Sequence, residues 1–378
     1  MIALSGKYIF VFDIGSATVG VSFAHYQRAK TIEVLFSHRE PIHYDTDTSA
    51  ESLGLYVSAA IEHAGKKALD TLSKRDDIPS DTFDVHAVVH APWATSRSVS
   101  AERPLQKESI ITKELLKEFV ERNLPVESAT DQVAFDSHIT QVALNGYVTR
   151  NPYKKRASHI AITTLRSFMA TPVHEAILDA FWQVFPEHDV HIDAFMYTVL
   201  QLAELFGEHD TFTVVDIGGS YTALTTVRNG TITANAWGSF GTDDLINAVA
   251  KGDTDAFTTA RADIVRYLQN TCTPSQCRVI DGLLTPIENE WAKVFGDACA
   301  TIRKVNRMPT KTFIIVHKDF FSWFERAIEK IDFGQFTVTG KPPHAEPLHI
   351  GDRGKIIHRT EGGRHDTALT LALLFVGK

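Results

Sequence analysis

Lys7-Tyr8-Ile9-Phe10-Val11-Phe12-Asp13-Ile14-Gly15-Ser16 and Thr211-Phe212-Thr213-Val214-Val215-Asp216-Ile217-Gly218-Gly219-Ser220 share one pattern. Each is a run of strand-forming residues that closes on Asp-Ile-Gly and a small hydroxyl side chain. After the first, Thr18–Tyr26 resumes strand character. After the second, Ala223–Val227 and Ile232–Trp237 do so on either side of Asn229-Gly230. Strand, polar glycine turn, strand is a hairpin signal. Two copies about 200 residues apart point to a duplicated α/β domain and not to a solenoid, whose repeats are far shorter.

A hairpin turn that offers glycine amides and a hydroxyl can wrap a phosphate, because close approach needs residues without Cβ and outward N–H groups. An Asp at the end of the preceding strand faces the same cleft and suits Mg²⁺, usually through waters, since that ion dehydrates reluctantly. Two such hairpins facing each other would clamp the phosphates of one nucleotide. The candidate binding residues are Asp13, Gly15 and Ser16 from the first turn and Asp216, Gly218, Gly219, Ser220 and Thr222 from the second, with Asp13 and Asp216 as the metal carboxylates. A lone copy would also fit an ordinary turn whose carboxylate caps its own backbone. The pairing of two copies is what makes the signal specific.

Between the copies, Ala50–Leu72 has the three-to-four apolar spacing of an amphipathic helix, and Asp76–Asp81 breaks it. Residues 83–165 read as a small α+β insert around the helix Thr112–Asn123, with Thr112 as N-cap. Strand-like runs in the insert are Val85–Ala91, Val133–Leu144, Tyr147–Thr149 and His159–Thr164, and helices Thr171–Phe185 and Tyr197–Phe206 follow. The expected organisation is a first lobe over residues 1–82 and 166–206, a second over 207–365 with a helical subdomain near 241–307, and a closing helix over 366–378. Lys341–Arg364, which carries Lys341, Arg353, Lys355, Arg359 and Arg364, reads as a solvated basic loop with one short strand.

On these residues the chain resembles the actin-like ATPase superfamily, whose fold is a pair of duplicated ribonuclease H-like α/β domains, and within it the PilM/FtsA branch. Phe12–Ser16 is similar to that superfamily's first phosphate motif and Val215–Thr222 to its second. Leu144–Val148 with Asn151-Pro152-Tyr153 resembles the end of the branch's insert, Trp237–Asp243 its later glycine turn, and Asp366–Ala372 its closing helix. The resemblance implies ATP and Mg²⁺ as ligands and a cytoplasmic scaffold role. In PilM-like proteins the partner is the cytoplasmic tail of a bitopic membrane protein of a type IV pilus, held near the insert beneath the inner membrane. FtsA relatives continue into a membrane-binding helix, whereas this chain stops after its closing helix, which favours the PilM side. Self-association of the chain is a further expectation. A division protein tethering filaments and a small-molecule kinase are the alternative readings.

Several positions depart from the family pattern. Thr18 or its neighbour stands where a Lys is usual, Tyr221 would crowd a terminal phosphate, and Ala223 replaces an Asp. His317-Lys318-Asp319-Phe320-Phe321 has no glycine where the adenosine motif has a pair. Asp263 and Arg266 echo a family helix near the adenosine, but also fit a solvated i,i+3 ion pair. No residue presents itself to orient an attacking water, so efficient ATP hydrolysis is not expected.

Composition narrows the rest. At 378 residues and roughly 150 per domain, two or more domains fit. Thirty-eight Lys and Arg against 46 Asp and Glu leave a net charge of −8, which speaks against nucleic acid as a partner. No apolar run nears the roughly 20 residues of a membrane span, and the N-terminus does not read as a signal peptide. Three cysteines make no disulfide framework, which suits a reducing compartment. Cys272 and Cys277 lack the further ligands zinc needs, so they read as unpaired thiols. No serine-hydrolase elbow, P-loop or His-Glu-x-x-His is present.

Overall fold

The computed structural model describes residues 6–27, 31–44, 47–74, 82–125, 129–205, 211–253, 255–337, 339–341, 344–347, 357–359 and 366–377. The expected break at Asp76–Asp81 and most of the basic loop, including Arg353, Lys355 and Arg364, fall outside them.

Chain order begins with β1 (Gly6–Ile14), β2 (Thr18–Gln27), β3 (Ile32–Pro41), α1 (Ala50–Leu72) and β4 (Phe83–Val89). β1 to β3 form an antiparallel meander, while β4 lies parallel to β1 on its other side. The next segment is β5 (Ala94–Ile110), α2 (Lys113–Asn123), β6 (Gln132–Leu144), β7 (Tyr147–Val148) and β8 (Arg156–Ala170). Its strands form a separate antiparallel sheet in the order β5-β8-β6-β7. The chain then returns through α3 (Thr171–Val184) to β9 (Val190–Ala194), parallel to β4, and to α4 (Phe195–Leu205). The insert thus begins after β4: Phe83–Val89, expected within it, is a core strand of the first lobe, because its Val85, Ala87 and Val89 bury against that lobe's helices.

The second lobe repeats the plan. β10 (Phe212–Ile217), β11 (Thr222–Arg228) and β12 (Thr231–Gly238) form the meander, followed by α5 (Thr242–Ala250), α6 (Phe257–Leu268) and α7 (Pro274–Val305). β13 (Lys311–Ile315) lies parallel to β10; α8 (Phe321–Glu329), β14 (His344–Pro347), β15 (Ile357–Arg359) and α9 (Thr367–Val376) follow. Among the described residues the two sheets run β15-β3-β2-β1-β4-β9 and β12-β11-β10-β13-β14. β15 therefore pairs with β3 of the first lobe, although it lies in the stretch expected to be wholly second lobe.

Period-two burial on both faces explains the unbroken apolar runs. Phe10 and Phe12 of β1 point to α1 and α3, whereas Ile9 and Val11 join a shared layer with Val199 of α4 and Leu371 of α9. β10 does the same: Val215 and Ile217 face the second lobe's own helices, while Phe212 and Val214 enter the shared layer. The two lobes are thus glued by one apolar layer containing α4 and α9.

α7 starts at Pro274, where Thr273 and Gln276 build a capping box, and the helix runs through Pro286. One local expectation changes. Cys272 and Cys277 are not idle thiols: they form a disulfide, since the turn into α7 brings their Cα atoms to 5.6 Å. Cys299 is a buried free thiol, its pKa pushed up to about 12 by burial.

Phe181 is fully buried and meets Phe12 edge-on at 4.9 Å. Phe181→Ala is expected to cost about 3–5 kcal/mol, read as a lower urea midpoint; a loss below about 1 kcal/mol would show that α3 does not pack on β1 this way.

Candidate functional site

The two Asp-Ile-Gly turns meet tip to tip. Each closes on itself in the same way: Gly15 N–H donates to the Thr18 carbonyl and Gly218 N–H to the Tyr221 carbonyl, both at 3.0 Å. The Ser220 amide donates to Ser16 Oγ at 3.1 Å. A Cβ on Gly219 would lie 2.0 Å from the Ala17 Cβ, and one on Gly218 would lie 2.9 Å from Ser16 Oγ. Glycine here lets the two turns touch each other. The carbonyls of Gly218 and Gly219 are in turn held by the Thr242 and Asp243 amides at the start of α5, at 3.0 and 2.8 Å. On the other side the Trp93 indole donates to the Gly15 carbonyl at 2.7 Å, and the Tyr44 hydroxyl donates to the Ser16 carbonyl.

Behind the turns, Asp13 and Asp216 do come together, as the sequence pattern implies. His90 stands between them. It follows β4 directly, and its amide donates to the Ile14 carbonyl at 3.0 Å. Its Nε2 lies 2.7 Å from Asp13 Oδ1 and its Nδ1 3.1 Å from Asp216 Oδ2, in a ring only 4% exposed and stacked on Phe195. With a carboxylate on each nitrogen, both nitrogens donate and the ring is an imidazolium. Burial alone would lower the imidazole's pKa, but the charges and hydrogen bonds of Asp13 and Asp216 raise it well above the usual range.

The second Asp13 oxygen is engaged as well. Arg39 donates from Nη2 to Asp13 Oδ2 at 2.6 Å, from Nε to Asp366 Oδ2 at 2.7 Å and from Nη1 to Thr18 Oγ1 at 2.8 Å. Register makes this reach possible: Gly20 pairs with both Asp13 and Arg39, so the guanidinium crosses β2 over a residue with no side chain. A Cβ at Gly20 would sit 2.8 Å from Arg39 Nη2. Burial by itself would raise the Asp13 pKa, yet His90 and Arg39 hold it far below the usual carboxylate range. The Tyr221 hydroxyl donates to Asp216 Oδ2 at 2.7 Å, so this ring is tucked into the core instead of crowding the tip of the turn. Burial, then the Asp216 charge, pushes its phenol pKa up. Thr222 is also structural: its hydroxyl donates to the Phe240 carbonyl at 2.8 Å and accepts from the Trp291 indole at 3.0 Å.

This arrangement does not fit a Mg-nucleotide. Both Asp13 oxygens are taken, Asp216 Oδ2 is taken twice, and the space between the turns is filled by Ala17, Ser16 and Gly219. The adenosine-motif position forms the turn into α8, and Phe320 is buried in the second-lobe core. Asp263 and Arg266 make a surface i,i+3 pair at 2.9 Å. His90, Arg39 and Asp366 escape a reading of the sequence, although one signal exists: His90 follows directly on a buried strand, as Asp13 and Asp216 stand near the ends of theirs.

A second charged cluster anchors the insert. His138 of β6 contacts Asp136 and lies 3.4 Å from Asp193 of β9, while its ring stacks on Tyr197. Asp136 Oδ2 also accepts from the Ala194 amide at 3.2 Å. Ligand atoms of the three residues lie within 4.8 Å of one another, but the imidazolium already supplies the positive charge there.

No protein-family model matches the chain, and no curated protein is significantly similar to it. Solved structures are. A chain of a PilM–PilN type IV pilus biogenesis complex superposes with a TM-score of 0.59 over 98% of both chains at 13% identity. Ethanolamine utilization protein EutJ from Carboxydothermus hydrogenoformans matches with a TM-score of 0.46 over 98% of this chain and 89% of its own, at 13% identity. A Bacteroides thetaiotaomicron protein with an actin-like ATPase fold reaches 0.32 over 66% and 78%, at 11% identity. The chain has the actin-like ATPase fold, and its likeness to the pilus-complex chain runs through the insert.

For His138, burial would lower the pKa, but the neighbouring carboxylates of Asp136 and Asp193 carry it from 6.5 up to about 9. A pKa raised on folding gives stability that is complete below the unfolded value and is lost as pH climbs through the folded one. The melting-temperature difference between wild type and His138→Gln is therefore expected to be largest below pH 6.5 and to vanish above about pH 9. A difference independent of pH would refute the ion-pair anchor.

Proposed function

We propose that the protein is an actin-fold scaffold of a type IV pilus or related membrane assembly, docking the cytoplasmic tail of a bitopic membrane protein at the inner face of the inner membrane. The observation that carries this reading is the superposition, insert included, on a chain of a complex assembled from PilM and PilN. The insert offers a suitable docking edge. β7 is a two-residue edge strand whose Tyr147 and Val148 are 80% and 63% exposed, and an open edge can take an extended peptide as an added strand. No helix among the described residues is long and apolar enough to cross a membrane, so in this reading a partner supplies the membrane contact.

ATP and Mg²⁺ play no role in this reading, because the cleft's carboxylates are engaged from within the chain. The same engagement counts against the small-molecule kinase reading, which needs an open nucleotide pocket. Self-association is not required, and nothing at the site favours the division-protein alternative.

Immobilised protein should retain a single-span membrane protein with a short cytoplasmic segment from detergent-solubilised host membranes. A labelled peptide of that segment should bind in solution, and Tyr147→Asp should weaken it by about tenfold, or roughly 1.4 kcal/mol, with an unchanged melting temperature. Retention of no bitopic protein, or a peptide indifferent to Tyr147→Asp and to competing mutations along β7, would overturn the docking model.

A further inference from the structure

The ligand-binding elements of an actin-like cleft are present but face one another. Such a clamp ordinarily needs a positive charge between two carboxylates and a filler between two glycine turns. Here both come from the chain. His90 supplies the charge between Asp13 and Asp216 at 2.7 and 3.1 Å. Ser16 Oγ, the Ser220 amide and the Ala17 methyl against Gly219 fill the gap between the turns.

We propose that His90 is a built-in substitute for the metal ion, and that with the interlocked turns it holds the two lobes closed without any ligand. The cluster is close to charge balance, with Asp13, Asp216 and Asp366 set against His90 and Arg39. Every one of these groups has a partner within hydrogen-bond distance, the condition under which buried charges are tolerated. A divalent ion would have to displace His90, and a phosphate would have to pry open turns already bonded to each other.

Closure is reinforced away from the cleft. Gln141 of β6 donates to the Asn229 carbonyl of the β11–β12 turn at 2.9 Å, and Asn235 of β12 donates to the Ser96 carbonyl of β5. The insert therefore grips the second lobe as well as the first. The protein is a permanently closed member of a fold whose usual clamp responds to ligand.

The inference rests on the fold and on this chain's own residues, not on the pilus partner, so failed tail capture would strike the proposed function alone. The test is thermal unfolding with chloride salts of Mg²⁺ and Mn²⁺ and with Mg-ATP, at millimolar concentrations. Wild type should shift by less than about 1 °C with all of them. In His90→Ala, Asp13 and Asp216 lose the cation between them, and Mg²⁺ or Mn²⁺ alone should raise melting by about 3 °C or more. Asp13→Asn added to that variant should abolish the gain. A Mg-ATP shift in wild type, or a His90→Ala protein blind to both metals, would overturn the proposal.

Should His90→Ala not fold, wild type still decides. Spin labels at Glu62→Cys on α1 and Val305→Cys on α7 report the separation of the lobes. One narrow distance, unmoved by Mg-ATP, supports permanent closure; a broad distribution that Mg-ATP narrows overturns it.

Discussion

A buried imidazolium between two buried carboxylates governs this molecule. Taking Asp13, His90 and Asp216 out of water costs several kcal/mol per ion unless each charge is met by partners of good geometry. Arg39 and Tyr221 supply the partners that His90 alone cannot. That need dictates the surroundings. Gly20 must be bare for the guanidinium to pass, and β4 must end beside β1 for His90 to arrive. The glycine turns must be slim enough for the lobes to approach.

The layers place these charges. Because β1 and β10 bury both faces, each hands one face to its own lobe's helices and the other to a common layer with α4 and α9. The ends of both central strands then open toward the same point. Two phosphate-type turns inherited from a duplication are thereby brought into register across the lobes. In a nucleotide-binding clamp the ligand would fill the gap; here the side chains already do. The insert adds a second bridge, pinned to the first lobe through His138 beside Asp193 and Asp136 on the Ala194 amide, and to the second through Gln141 and Ser96.

The legibility of the elements follows their burial. β1 and β10 announce themselves as continuous apolar runs, and α1 and α2 as amphipathic stripes with side-chain caps. β5 gives no such signal, since Ala94–Ile110 is a largely exposed edge strand rich in Ser, Arg, Lys and Glu and shows no apolar alternation. β4 is recognisable as a strand, but its lobe is not, because nothing in Phe83–Val89 names the strand it will pair with. The disulfide between Cys272 and Cys277 is hidden for a related reason: spacing alone does not say that the turn before α7 folds back far enough to join them.

The duplication, the two glycine turns, the carboxylate near the end of each central strand and hence the actin-like fold are all written in the residue pattern. These are local patterns, repeated, and each carries its own physical cause in strand burial and turn geometry. What fills the cleft follows from the packing of distant segments. His90, Arg39, Tyr221 and Asp366 come from four separate stretches, and their meeting depends on strand register, on the parallel pairing of β4 with β1 and on the return of α9 to the first lobe. No periodicity encodes such convergence. The same turns that would embrace a phosphate close on each other once the chain supplies its own cation.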